Sequence, residues 1–262
     1  GQDLKAVRSR LVAATARVRA NPKLGIGHQT QAALAGLSKA KSIQSAISLC
    51  KVLEFSTASS TRCCSMVCGD VAAVSSLLRF ARACNRSEPH VDYLRRVLAT
   101  LLNIVDADSN LASGLAGVEE IFTTIGELLQ MYRGKSEIFL PAARVLHALA
   151  AVIPRSSVSA GEIAGLRRKL EGISQILKQK LRLEKKYIHH METRKGSDVL
   201  ARESATKVVK TTRELQSVYD VLNCLEGEAK YHMEGQDCCA AKNTIVRRAF
   251  METQNLRGLG RE

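Results

Sequence analysis

Apolar side chains recur at spacings of three and four residues along most of the chain, with polar side chains between them. This spacing is typical of amphipathic α-helices, whereas a half-buried β-strand would alternate at every second residue. The pattern predicts helices at 3–20, 29–38, 42–56, 59–68, 70–84, 90–105, 109–116, 118–132, 136–152, 166–191 and 203–225. The predicted fold class is therefore all-α.

Four apolar positions also recur over a longer distance, at offsets of 49 and then 48 residues. The three sets are Leu49, Val52, Leu53 and Phe55, then Leu98, Leu101, Leu102 and Ile104, and finally Leu146, Leu149, Ala150 and Val152. We expect these side chains, Phe55 included, to face inward. Such a period is typical of helical solenoids, in which each unit buries its apolar face only against its neighbours.

The helices of the repeating region follow one order: a short helix that ends near a glycine, and then two longer helices. Gly69 and Gly117 are those glycines, and Asp70 is placed to cap the helix that follows the first of them. This order is that of an armadillo repeat rather than of a two-helix HEAT unit. We therefore predict an armadillo-like helical solenoid with flanking amphipathic helices: a leading helix at 1–22, repeats at 23–153 and a basic helical extension at 154–262.

Basic residues are concentrated in two segments on either side of the repeats. The net charge is +14, from 39 Lys and Arg against 25 Asp and Glu. Residues 1–41 and 163–195 each carry a net charge of +7, while residues 42–153 balance at zero. Such a field favours an acidic polymer or an acidic tail as partner, although basic side chains also simply solvate exposed helix faces.

The candidate contacts to an acidic partner are basic side chains of these two flanks. They are Arg8, Arg10, Arg17, Arg19, Arg167, Arg168, Lys169, Lys178, Lys180, Arg182, Lys185 and Lys186.

Neither the motifs nor the cysteines point to catalysis or to a metal. There is no G-x-S-x-G, P-loop or H-E-x-x-H motif, so we expect no enzyme, no cofactor and no small-molecule substrate. The eight cysteines contain no C-x-x-C pair, and five of them fall within helical apolar patterns, where a free thiol behaves as a small apolar side chain: Cys50, Cys63, Cys64, Cys68 and Cys84. No segment reaches the length of a membrane span, and the start lacks both Met and a signal-peptide pattern. We expect an intracellular piece of a longer protein that does not bind membranes.

Five short runs of residues occur in a fixed order between residues 20 and 153. They are LGIGHQT at 24–30, the Cys pair at 63–64, ACNRSxP at 83–89, LLN at 101–103 and ELLQMYR at 127–133. Together they resemble the C-terminal region of the abnormal-spindle family, the microcephaly-associated spindle proteins of animals and their plant counterparts. The stretch after Pro154 does not resemble the animal proteins, which favours a plant-like member.

The resemblance implies a role in cell division. Members of that family carry calponin-homology domains, calmodulin-binding IQ motifs on a long helix and armadillo-like repeats, and they organise microtubules at spindle poles without catalysis. It implies that 1–22 continues from an upstream IQ-type region, although no complete IQ motif is present here. The implied partners are microtubules and tubulin, spindle-pole proteins, and calmodulin through upstream motifs of the full-length protein. The implied locations are the cytoplasm and cytoskeleton, the spindle and its poles, and the nucleus in interphase.

Asn103 is a candidate for a peptide-binding groove. Armadillo grooves often hold extended peptides through an Asn late in the third helix, and Asn103 lies at that position. At the same repeat offsets stand Glu54 and Ala151, so the ladder of amides is broken. Both a groove role and a purely structural role remain open for Asn103.

The sequence thus predicts a microtubule-associated scaffold whose solenoid holds a protein partner and whose basic flanks contact acidic polymer. One alternative is a helical-repeat protein that binds nucleic acid without sequence specificity. The flanks argue against it, because they hold a single aromatic residue, Tyr187, on which bases could stack. The other alternative is that 166–188 is a calmodulin-target helix, which requires its apolar stripe to be free.

Overall fold

The computed structural model of the chain describes residues 25–152, 160–192 and 198–230. In these residues all regular secondary structure is α-helical, which confirms the predicted fold class; the predicted helix at 3–20 lies outside them. The ten helices of the described part are α1 (Ile26–Leu37), α2 (Ile43–Ser59), α3 (Thr61–Gly69), α4 (Val71–Arg82), α5 (Glu88–Ala107), α6 (Ser109–Ala116), α7 (Ile121–Met131), α8 (Ser136–Ala150), α9 (Ala160–Glu192) and α10 (Asp198–Lys230).

Local side-chain chemistry sets several of the helix boundaries. Asp70 accepts a hydrogen bond from the Ala73 N–H at 2.9 Å, which confirms it as the N-cap of α4. Pro89 lies in the first turn of α5, where its missing N–H leaves no helical bond unmade. The helix predicted from residue 118 begins only at Ile121, because Glu120 adopts a left-handed conformation with φ of 65° that an α-helix cannot include.

Corresponding helices of successive units pack against one another in three rows. In the first row α2 contacts α5 and α5 contacts α8, in the second α1 contacts α4 and α4 contacts α7, and in the third α3 contacts α6. Each unit therefore buries its apolar side chains against the next unit along the chain, as a period of this kind predicts.

The register between units differs from the register predicted from sequence. When the units are aligned by their buried positions, Leu53 corresponds to Leu101, 48 residues later, and Leu101 corresponds to Leu146, 45 residues later. The sets that coincide are Ala46, Cys50, Leu53 and Thr57, then Leu94, Leu98, Leu101 and Val105, and finally Phe139, Ala143, Leu146 and Ala150.

The offsets of 49 and 48 residues were wrong because they align whichever apolar positions happen to match, whether or not those positions face the core. Phe55 shows the consequence, since it was expected inward and its side chain is 62% exposed.

Polar side chains also connect units that are one period apart. These contacts join Arg96 to Glu54 at 2.8 Å, Arg95 to Glu137 at 2.7 Å, Arg144 to Asp106 at 3.1 Å and Arg82 Nε to Thr124 Oγ1 at 2.8 Å. The partners are 38 to 42 residues apart in sequence, which is close to one repeat. Exposed pairs of this kind contribute up to about 1 kcal/mol each, so the apolar contacts carry most of the stability.

The second row continues into α9, which packs against α7. Leu166, Leu170, Ile173 and Leu177 are buried in the common core, so the first part of the apolar stripe of this helix packs on the stack, whereas Leu181 and Ile188 of the same stripe are only partly buried. Gly126 permits the close approach of the two helices, since a Cβ built on it would lie 3.0 Å from Leu166 Cδ1.

Of the described residues, α1 to α9 and α10 as far as Leu225 belong to one compact unit. Among the described residues no single helix is both long enough and apolar enough to cross a membrane. The bent pair α3 and α4, at 83° to each other, meets those criteria of length and composition only when the two are combined.

Replacing a side chain at the centre of the first row should destabilise the fold far more than replacing a larger exposed one. Leu101→Ala removes a fully buried side chain and should lower the free energy of unfolding by about 2–5 kcal/mol. Phe55→Ala, the control, should change it by less than about 0.5 kcal/mol. Thermal and urea unfolding followed by circular dichroism measure both effects, and equal losses would contradict this register.

Candidate functional site

The basic side chains of α9 differ in how far they are already engaged by neighbouring groups. Arg167 Nε lies 3.0 Å from Glu171, Lys169 Nζ 3.5 Å from Glu127 on α7, and Lys180 Nζ 3.7 Å from Glu184. Charges that are paired in this way contribute less to the field outside the molecule.

Two further bases of α9 bind groups other than carboxylates. Arg168 Nε donates to the Ala164 carbonyl at 3.4 Å, and Lys178 Nζ lies 5.2 Å from the centre of the Tyr219 ring on α10. The latter contact is a cation–π interaction, which keeps the charge of Lys178 but directs it toward α10.

Within the described residues, three exposed bases of α9 that make no ion pair lie within five residues of one another. Arg182, Lys185 and Lys186 are exposed and make no ion pair within the part of the chain that the structure describes. With Gln179 and Leu183 they line a shallow depression on the surface. The structure therefore gathers three of the predicted contact residues into one basic surface, which we call the 182–186 cluster.

The four predicted contacts of the leading segment, Arg8, Arg10, Arg17 and Arg19, lie outside the described residues.

The face formed by α2, α5 and α8 carries charges that are largely paired. Arg96 bridges Glu54 of α2 and Asp92 of its own helix, at 2.8 Å and 3.0 Å. The Arg95–Glu137 and Arg144–Asp106 pairs lie on the same three helices. This face is consequently close to neutral and differs in character from the 182–186 cluster.

Asn103 uses its amide hydrogens inside the stack. Its Nδ2 donates to the Glu54 carbonyl at 3.2 Å and to Thr57 Oγ1 at 3.1 Å, so that α5 is joined to α2. By burial its equivalents are Phe55 and Ala148, rather than Glu54 and Ala151. The groove role of Asn103 stays a prediction, and only its amide oxygen is left to bind a peptide without breaking these two bonds.

The apolar stripe of α9 does not meet the requirement of a calmodulin-target helix. That alternative needs the stripe to be free, yet the four positions from Leu166 to Leu177 are buried. Calmodulin could bind these four side chains only after α9 had separated from α7.

A buried carboxylate joins α10 to the stack, and sequence reasoning missed it. Glu214 is fully buried and accepts a hydrogen bond from Ser136 Oγ at 2.6 Å, while Lys210 Nζ donates to the Gly134 carbonyl at 3.0 Å. Ser136 is the first residue of α8, so the carboxylate lies at the positive end of that helix dipole. The one sequence signal was an acid between Thr211 and Val218 on the buried side of the predicted helix.

Of the described cysteines, Cys50, Cys63, Cys64 and Cys84 are buried, and Cys68 and Cys224 are partly buried. Desolvation by burial raises the pKa of the thiols of Cys50 and Cys84 to about 12 in each case. Cys64 Sγ donates to the Thr57 carbonyl at 3.3 Å. In the described ranges no three His, Cys, Asp or Glu side chains are grouped so that they could hold a metal ion. Cys238 and Cys239 lie outside those ranges.

Three mammalian proteins illustrate what the chain is similar to, and each bears the name abnormal spindle-like microcephaly-associated protein homolog. The cattle protein is 33% identical over 132 residues, or 50% of this chain and 4% of the relative. The sheep protein is 34% identical over 132 residues, with the same coverage. The mouse protein is 31% identical over 154 residues, which cover 59% of this chain and 5% of the relative.

These matches extend over about half of the chain. The matched part spans only about one twentieth of the relatives' own length. No protein-family model matches the chain, and no solved structure matches it.

Alkaline pH should destabilise the protein through Cys50 and Cys84. In the unfolded chain these thiols ionise near 9.0, whereas their folded pKa is about 12, so the unfolded state loses protons first as the pH rises. Their contribution to stability is therefore complete below pH 9 and is lost as the pH rises toward 12. Melting temperatures measured from about pH 8 to about pH 10.5 should fall, and less steeply in a Cys50→Ala/Cys84→Ala variant. Equal slopes for the two proteins would contradict this assignment.

Removing the Glu214 carboxylate should loosen α10. Glu214→Ala leaves the first turn of α8 without its acceptor and should increase hydrogen exchange across 203–225 about tenfold. Glu203→Ala, on the exposed side of the same helix, is the matched control and should leave exchange unchanged. An equal increase in hydrogen exchange in both variants would contradict a role for the contact between Glu214 and Ser136.

Proposed function

We propose that this chain is a non-enzymatic, microtubule-associated scaffold that acts at the spindle in cell division. The 182–186 cluster contacts the acidic tails of tubulin, and the paired, neutral face of α2, α5 and α8 holds a protein partner. The observation that carries the proposal is the combination of an exposed, unpaired basic turn with a neutral helical stack. The names of the mammalian relatives support the place of action, which includes the spindle poles.

The finer assignments belong to the same proposal. The three-row packing supports an armadillo-like repeat, with one short and two longer helices in each unit. We also propose that calmodulin binds upstream IQ motifs of the full-length protein and that other spindle-pole proteins bind beside it. The proposed locations are the cytoplasm, the cytoskeleton and, in interphase, the nucleus. The plant-like assignment stays a prediction from the stretch after Pro154.

Electrostatic attraction explains why the free bases matter more than the total charge. The Debye length at physiological ionic strength is about 8 Å, so an acidic tail senses mainly the charges that it can approach closely. Arg182, Lys185 and Lys186 are exposed side chains within two turns of one helix, and a flexible acidic tail can neutralise all three at once.

Reversing the 182–186 cluster should weaken microtubule attachment. In co-sedimentation at low salt, Arg182→Glu/Lys185→Glu/Lys186→Glu should lower affinity about tenfold or more. The attachment of the unmodified chain should fall with added salt and with enzymatic removal of the tubulin tails.

The matched control reverses three exposed bases of the repeats, Lys51, Arg62 and Arg79, and so changes the net charge equally. Circular dichroism checks that both variants remain helical. If the control loses as much affinity as the test variant, net charge alone is responsible. If the unmodified chain fails to sediment at low salt, tubulin tails are not its partner.

A further inference from the structure

α9 carries a second apolar stripe, distinct from the one buried against α7. Ile176, Leu183 and Tyr187 are 45%, 67% and 48% exposed, although all three are large apolar or aromatic side chains. At 100° per residue they fall within about 20° of one line along the helix, and the line is roughly 16 Å long. Three exposed apolar side chains in one line form a coherent surface, which we call the 176–187 stripe.

The spacing of the stripe matches one side of a coiled coil. Ile176 and Leu183 are seven residues apart and Tyr187 follows four residues later, which is the interval from a d position to the next a position. Lys180 completes the seam at the remaining a position, where a polar residue fixes the register of pairing. A seam of this kind packs against another helix through side chains that interlock.

Basic residues border the stripe on one side. In the same heptad Lys186 occupies a g position beside the seam, and Arg182 lies on the same side of the helix. Neither makes an ion pair in the described part of the chain. Residues at g positions determine which helix can pair, because they meet the e positions of the partner. The bordering charge therefore favours acidic residues in that partner.

We propose that the 176–187 stripe is a docking site for an acidic amphipathic helix of another protein. Apolar side chains of that helix pack on Leu183 and Tyr187, and its Glu or Asp residues pair with Arg182 and Lys186. This site goes beyond the proposed function, because flexible tubulin tails need the bases alone whereas a docked helix needs the apolar stripe as well.

Two other occupants fit the stripe less well. A second copy of this chain would present Leu177 and Glu184 at its e positions; Leu177 is buried and Glu184 already lies 3.7 Å from Lys180, so neither offers a free acid to Lys186. A membrane surface needs a broad apolar face, whereas this stripe is one side chain wide with polar residues beside it.

A designed peptide tests the site with the full 262-residue chain. The probe is a fluorescein-labelled helical peptide of three heptads with Leu at a and d and Glu at e and g, and the second peptide has the same composition with the Leu positions scrambled. Fluorescence anisotropy should show that the first peptide binds at least about tenfold more tightly than the second.

Ile176→Ser/Tyr187→Ser should weaken binding of the designed peptide about tenfold or more while leaving tail-dependent microtubule co-sedimentation unchanged. The matched control, Phe55→Ser/Val71→Ser, replaces two exposed apolar side chains elsewhere and should bind the peptide normally. The readouts separate the two proposals, since Arg182→Glu/Lys185→Glu/Lys186→Glu should reduce both activities and the serine variant only one.

Three results would overturn the proposal. The designed peptide could fail to bind, or both peptides could bind equally, which would leave charge as the sole attraction. Vesicles of phosphatidylserine and phosphatidylcholine could bind in a manner that depends on Ile176 and Tyr187 and excludes the peptide, which would identify a lipid surface as the occupant.

Discussion

The structure depends on the burial of one helical unit against the next. The apolar side chains of one unit pack against the next, and Leu53, Leu101 and Leu146 are fully buried along the row from α2 to α8. The polar contacts between units follow the same geometry, since they join residues about one repeat apart. Stability therefore accumulates along the row from α2 to α8 and does not reside in a single compact centre.

A stack built in this way leaves an apolar face at its last unit, and that face must be covered. Here α9 covers α7 through the stripe that begins at Leu166, and α10 is fixed to the start of α8 by Glu214. The long helices are thus extensions of the stack, and α9 also carries the 182–186 cluster. Their engaged bases support the structure, whereas the 182–186 cluster remains available to a partner.

The sequence predicted the helices and their order well, because amphipathic spacing and caps such as Asp70 are local features. The repeat register predicted from the sequence was wrong. Several apolar positions lie within three residues of one another, and only the packing of the helices determines which of them correspond between units. α7 begins late because Glu120 adopts a left-handed conformation, and Arg82 of another unit binds the side chain and carbonyl of that residue. No local pattern contains that information.

The candidate site was predicted in part for a similar reason. A sequence shows which residues are basic, but the pairing of Lys169 with Glu127 depends on how α9 lies on α7. The same holds for Asn103, whose amide was expected in a groove and is engaged between α5 and α2. A basic or amide side chain is free for a partner only where no residue of another unit already binds it. The positions of those binding residues depend on the fold and cannot be read from the local sequence.

Gly126 gives the stack a mechanical property. Of the described side chains of α9, none beyond Leu177 is fully buried, so the helix is held at one end and extends about 20 Å further to His190. The contact between Gly126 and Leu166 thus acts as the pivot of a lever. A tilt of about 10° there would move His190, about 36 Å away along the helix, by about 6 Å, roughly twice the length of a hydrogen bond. The absence of a side chain at the buried Gly126 therefore affects how precisely the 182–186 cluster is positioned.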